Sequence, residues 1–406
     1  MLGWDYRFGL AEIERERAWV EINPVAIAHN VRQIRRLLLP QTALMAIVKA
    51  DAYGHGAPLV AQTALEAGAS WLGVATIPEG IELRESGISA PILILGAVNT
   101  PEQVRAIARW QLQPTVCSPK QAFIFSEAMA ELTEFAPLPV HLKLDTGMSR
   151  LGTDWQDAPA FAQLVRSLPH LKIVSIYSHL ATADEPDPSV MRQQQHRFEQ
   201  AIAAIRRVGI QPPQLHLANS AATLTDPALH YDMVRTGLAL YGLSPAPHLQ
   251  HVLDLRPALQ VKARITQVKT IPAGRGVSYG YRFVTPRSLR MAVVGIGYAD
   301  GVPRQLTNRM QVLIRGQRVK QIGTITMDQL MLDVSDLPNL TEGEVVTLLG
   351  WDGSERITAD DWANTLNTIS WEILCGFKHR LPRIAVSAPP PKSNSASVES
   401  KGDLYF

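Results

Sequence analysis

Cysteine is nearly missing from this sequence. Its 406 residues include two, Cys117 and Cys375, far apart in the chain. They cannot build a disulfide framework or a thiolate metal site, and a reducing compartment fits. No cluster of His, Cys, Asp and Glu has metal-ligand spacing, so no metal is expected. An excess of one charge is missing too, with 39 Lys and Arg against 37 Asp and Glu. That balance gives no reason to expect nucleic acid or an anionic membrane as a partner. No apolar run is long enough to span a bilayer. The opening stretch "MLGWDYRFGLAEIERERAWV" is broken by charges and lacks a signal-peptide core. The chain therefore reads as soluble and cytoplasmic. A Gly-x-Gly-x-x-Gly after the first strand, which a dinucleotide-binding sheet would carry, is absent as well.

What is present has two textures. The length exceeds one ordinary core, so two domains are expected. From residue 24 to 242, eight short apolar runs alternate with amphipathic stretches. They begin at Ala43, Trp71, Pro91, Gln113, Pro139, Leu171, Gln214 and Asp232. Near-continuous apolar strands separated by helices mean a parallel sheet covered on both faces. Eight is the number that closes a (β/α)8 TIM-type barrel, and an open doubly wound sheet usually has fewer. From 243 to 388 the pattern alternates with Gly-bearing turns, which reads as a mostly β domain with "TADDWANTLNTIS" as its one helix. Residues 1–23 form an N-terminal segment whose "AWVEIN" is strand-like and suited to pair with the β domain. Residues 389–406 are rich in Pro, Ser and charge and read as a disordered tail.

The polar residues at the strand ends are the functional signal. Active sites of such barrels sit at the C-terminal rim. Lys49 closes the first apolar run, in "AIVKADAYGHG". Arg150 follows the fifth, His179 ends the sixth, Asn219 and Ser220 end the seventh, and Arg235 and Gly237 lie in the eighth. A lone strand-end lysine is ordinarily just solvated. Here it shares a rim with a seat for phosphate at strands 7 and 8, made by Ser220, Gly237 and the amide of Leu238. That pairing suggests pyridoxal 5'-phosphate, bound to Lys49 as a Schiff base. Arg235 is the candidate partner of the ring nitrogen. A permanent cation there keeps that nitrogen unprotonated and the electron sink weak, which suits proton exchange at Cα.

Eight motifs occur in order: "VKADAYGHG", "LKLDTGMSRLG", "YSHLATADE", "ANSAA", "VRTGLALYG", "VSYGYRF", "GIGYADG" and "TITMDQLMLDV". Over about residues 18 to 385 the chain resembles alanine racemase, a fold-type III pyridoxal-phosphate enzyme. The resemblance implies interconversion of L- and D-alanine by two bases, with D-alanine feeding peptidoglycan, and a homodimer with shared active sites. It implies that Lys49 carries the cofactor and is one base. Tyr279, delivered from the partner subunit, is the other. Tyr53, Ser220, Gly237 and Leu238 would hold the phosphate, with Asn219 beside them. Arg235 would pair with the ring nitrogen, and His179 would link it to Tyr279 as part of a cationic chain that stabilises the phenolate. Arg150, Met327 and Asp328 would meet the substrate carboxylate, Tyr298 and Arg304 would line the way in, and Lys143 would be a site of carbamylation. Where the family commonly has a tyrosine, this chain has Trp371, which can donate a hydrogen bond but not accept one. That bears on the phosphate contact and on strictness for alanine over serine. The rival readings are a broader amino-acid racemase, a pyridoxal-phosphate decarboxylase, and a carrier of the cofactor without turnover.

Overall fold

Short apolar runs become the staves of a closed barrel in the computed structural model, which describes residue 15, residues 17–132 and residues 134–387. The eight strands are Ala43–Ile47, Trp71–Val74, Ile92–Ala97, Gln113–Val116, Leu138–Asp145, Leu171–Tyr177, Leu215–His216 and Met233–Thr236. Each lies parallel to the next, and the eighth returns to the first with Met233 opposite Ala43. The expected TIM-type barrel is the fold that forms. Its strands are apolar because both faces are covered, by the barrel interior and by the outer helices.

The helices start where local chemistry says they should. Asn23 caps the first, Pro24–Leu37, by accepting from the Ala26 amide at 3.1 Å, with Pro24 at the first position. The long helix Ser189–Arg207 is followed by Gly209 at φ 78°, a conformation glycine adopts without steric penalty.

The second layer is a nine-stranded, mostly antiparallel sheet. Ala18–Ile22 precedes the barrel in sequence yet belongs to this sheet. It pairs antiparallel with Leu259–Ile271 and parallel with Arg383–Ala385. Arg17 binds Asp300 through two hydrogen bonds of 2.6 and 2.7 Å, which ties this strand to the "GYADG" turn. The expectation of a single helix in this region needs correction. Ala359–Leu366 is followed by a second short helix, Ser370–Gly376, whose N-cap residue is Ile369 with no side-chain cap. Without a capping side chain the sequence carried no start signal. The proline-rich tail lies outside the described residues. Among the described residues no helix is long and apolar enough to cross a membrane, and no three His, Cys, Asp or Glu side chains gather as a metal-ligand set.

Candidate active site

At the C-terminal rim the barrel opens into a cavity of about 600 Å³. Its lining includes Lys49, Tyr53, Lys143, Arg150, His179, Asn219, Ser220, Arg235, Gly237, Leu238 and Trp371. Four of these are cationic side chains, and Asp184 is the one carboxylate in the lining. Such a surplus suits an anionic ligand.

Lys49 is positioned by an unusual turn. The next four residues, Ala50 to Tyr53, have φ of 52–54°, a left-handed helical turn made without glycine. Each such residue costs roughly 1–2 kcal/mol, so the surrounding contacts must hold the turn. Glu79 accepts from the Ala50 amide at 2.7 Å while also capping its own helix through the amides of Ala75 and Thr76. Asp51 accepts from the Ala57 amide at 2.8 Å. His55, fully buried with its ring tilted against that of Tyr241 at 4.4 Å, bonds the Tyr53 carbonyl at 3.0 Å through Nδ1. Burial pulls its pKa down to about 4, so the ring is a neutral donor.

The turn aims Tyr53 at the eighth strand. A Cβ on Gly237 would lie 2.6 Å from the Tyr53 hydroxyl, so only glycine leaves this phenol in place. Ser220 Oγ accepts from the Gly237 amide at 2.9 Å. The short turn Leu238–Tyr241 begins beside it, and first-turn amides have no partner within their own turn. Burial pushes the Tyr53 phenol up, so it stays protonated and able to donate. A phenol, a serine hydroxyl and backbone amides around a glycine form a cradle that fits a phosphate group.

Arg235 is buried and its hydrogen bonds go to neutral acceptors. Nη1 donates to His216 Nδ1 at 2.9 Å. Nη2 donates to the carbonyls of Ser178 and Leu217 at 2.8 and 3.1 Å and to His179 Nδ1 at 3.2 Å. The guanidinium also lies 5.2 Å above the Tyr177 ring. Burial pulls its pKa down to about 10, so it remains a cation at neutral pH. His179 sits well below the usual histidine range through burial, with Arg235 as its first cationic neighbour. The expected cationic chain therefore has one charge rather than two: Arg235 is the cation and His179 a neutral ring. Because Arg235 donates to Nδ1, the His179 proton resides on Nε2.

Lys143 is buried with its amine 5.5 Å from the centre of the Tyr177 ring. Burial, then Arg235, pulls its pKa down to about 8. Cys117 lies close enough to Lys143 for the two to interact electrostatically, and burial pushes its thiol up to about 11. Cys375 similarly neighbours Lys49. Neither cysteine was assigned to the site from sequence, because each is far along the chain from the lysine it neighbours. Tyr177, His141 and His216 were also missed. Their signal was alternation: in "PVHLKLD" every second side chain is polar, as an inward-facing layer requires.

The other predicted residues stand elsewhere in the chain. Tyr279 and Met327 are 73% and 53% exposed on the β domain, and Tyr298 is 41% exposed. Arg304 is exposed near them in sequence, and Asp328 pairs with Arg380. None of these five lines the Lys49 cavity. Within one chain the structure does not bring Tyr279 to Lys49.

Comparison with known proteins bears on both domains. Residues 22–245 match the family model of the alanine racemase N-terminal domain, and residues 258–385 match that of its C-terminal domain. The alanine racemase of Nostoc sp. (strain PCC 7120) is 69% identical over 91% of this chain and 96% of its own. That of Synechocystis sp. (strain PCC 6803) is 63% identical over 92% of this chain and its full length. Among solved structures, alanine racemase from Bacillus anthracis with bound L-Ala-P superposes with a TM-score of 0.86 at 36% identity, covering 92% of this chain and 95% of that one.

Proposed function

The chain belongs to the alanine racemase family, and from that premise we propose that it interconverts L- and D-alanine by a two-base mechanism on pyridoxal phosphate. The single observation that carries the reading is the shared cavity of Lys49, Arg235 and the Tyr53–Ser220–Gly237 cradle. The cradle fits a phosphate, Lys49 would hold the aldehyde carbon, and Arg235 would be the buried cation facing the ring nitrogen. Trp371 and Asn219 complete the cofactor's surroundings. When bound, the cofactor supplies the electron-withdrawing ring that makes the alanine Cα–H acidic.

The chain's own groups then divide the work. Inversion needs a proton taken from one face and returned to the other, so one base is insufficient. Lys49 is the base on one face. Tyr279 is the base on the other, carried by the partner subunit of a homodimer. Its exposure with Tyr281, Val284, Tyr298 and Met327 marks an apolar surface that a second copy would cover. The neutral His179, with its proton on Nε2, is the donor that would stabilise the phenolate of Tyr279. Each well-placed base is worth about 10²–10⁴-fold. Arg150, with the Met327 amide and Asp328 from the β domain, would orient the substrate carboxylate. Tyr298 and Arg304 would line its path. Lys143, with a pKa near 8, offers the neutral amine that addition of carbon dioxide requires, and we assign it as the carbamylation site that steadies Arg150. In this division of labour residues 24–242 carry most of the cofactor's contacts, while 243–388 would close the site and contribute Trp371 to it. A cytoplasmic location and supply of D-alanine to peptidoglycan follow from the same reading.

The test is direct. Borohydride reduction of purified protein should fix the cofactor in one peptide, containing Lys49. Circular dichroism should show D-alanine decaying to the racemate. Labelling at another lysine, or retention of optical activity with cofactor bound, would overturn the assignment. Comparing alanine with serine and lysine separates a strict racemase from a broad one and reads the effect of Trp371.

A further inference from the structure

Beneath Arg235 a row of buried polar side chains crosses the barrel interior. His216 Nε2 lies 2.9 Å from Ser175 Oγ, Ser175 Oγ lies 2.6 Å from His141 Nδ1, and His141 Nε2 lies 2.9 Å from Gln113 Oε1. Both histidines and Ser175 are fully buried, while Gln113, at the start of the fourth strand, is half-buried. An apolar barrel would need none of these groups.

We propose that Ser175, His141 and Gln113 are positioning residues for Arg235, linked through His216 in a hydrogen-bond chain that runs in one direction only. The direction follows from Arg235, which can donate but not accept. His216 must offer its Nδ1 lone pair, so its proton sits on Nε2. That proton goes to Ser175 Oγ. The serine hydroxyl must then donate to His141 Nδ1, and the His141 proton sits on Nε2 and goes to Gln113 Oε1. Every group is satisfied. The reversed order would set a His216 N–H against an Arg235 N–H. Burial keeps both rings neutral, with His141 down at about 3 and His216 well below the usual range. Tyr177 stacks on His216 at 4.6 Å and 5°, which fixes the plane of the ring that accepts the Arg235 hydrogen bond. The chain thus holds the guanidinium in one orientation.

The proposal rests on the reading that Arg235 faces the cofactor ring. Its test uses the cofactor-loaded enzyme with ring-¹⁵N histidine. Nuclear magnetic resonance should report His216 and His141 as neutral rings protonated on Nε2. Ser175→Ala should leave the His216 tautomer intact and abolish the single tautomer of His141. It should lower turnover about tenfold, the worth of one buried hydrogen bond, and Ser175→Thr should restore both readouts. Gln113→Met, at a half-buried strand start, should change the His141 tautomer and not that of His216. A wild-type ring that is charged or protonated on Nδ1, or normal turnover in Ser175→Ala, overturns the proposal. Failure of the underlying reading looks different. The tautomers would be as stated, yet Arg235→Gln would leave the pH dependence of cofactor absorbance unchanged.

Discussion

Gly237→Ala should separate cofactor binding from folding. Gly237 has φ −117°, outside the left-handed region that favours glycine. An alanine Cβ would stand 2.6 Å from the Tyr53 hydroxyl and 3.2 Å from Cζ. Ordinary contact begins at 3.4 Å, so the phenol must retreat by about 0.8 Å. Tyr53 is buried with its ring 4.9 Å from that of Tyr241, which limits where it can go. A hydrogen bond to a charged group is worth about 1.5–3 kcal/mol. Loss of the Tyr53–phosphate bond should therefore weaken pyridoxal-phosphate binding about 10- to 150-fold. The assay is equilibrium binding of the cofactor to apoenzyme. Tyr53→Phe removes the same hydroxyl without pushing, so the two substitutions should not add in a double-mutant cycle. Full additivity, or unaltered affinity in Gly237→Ala, would show that the cradle has been misread.

Three further outcomes follow from the same physics. Ala50→Gly should raise stability by about 1 kcal/mol because φ is 53° there, whereas Ala26→Gly in a right-handed helix should lower it by a similar amount; denaturant unfolding reads both, and matching signs would contradict the left-handed turn. Lys143 has a folded pKa of about 8 against 10.5 in the unfolded chain, so between those values the unfolded state binds more protons and stability rises with pH. In buffer free of carbon dioxide, unfolding as a function of pH should show that rise, and Lys143→Met should flatten it. The buried neutral histidines work at lower pH. His55 falls to about 4 and His141 to about 3 from an ordinary 6.5, so stability present above pH 6.5 should be lost as the pH drops through that window; His141→Gln should reduce the loss.

The barrel was legible because its strands are buried on both sides and so read as unbroken apolar runs. Rim residues were legible for the same reason: a charge at the end of such a run has one place to go. Other features were hidden because their cause lies far away in sequence. Nothing in "ADAY" announces a left-handed turn; Glu79, Asp51 and His55 impose it through tertiary contacts. The polar layer of His141, Ser175 and His216 sits among apolar neighbours and shows only as alternation within three separate strands. The helix that carries Trp371 lacks a capping residue, and its place in the cavity depends on how the second domain folds back. The neutral state of His179 could not be read without the position of Arg235. Tyr279 presents the opposite problem: its motif is distinct, but on the proposed reading the surface it completes would belong to another copy of the chain, which one chain's sequence cannot display.

On the proposed mechanism, amine and phenol reach one carbon from two subunits. The most direct measurement mixes Lys49→Ala chains with Tyr279→Phe chains and assays interconversion of alanine in the hybrid dimers. Each variant alone should be impaired, and hybrids should regain activity because one of their two sites joins an intact Lys49 to an intact Tyr279. Hybrids no more active than the parents would contradict the account.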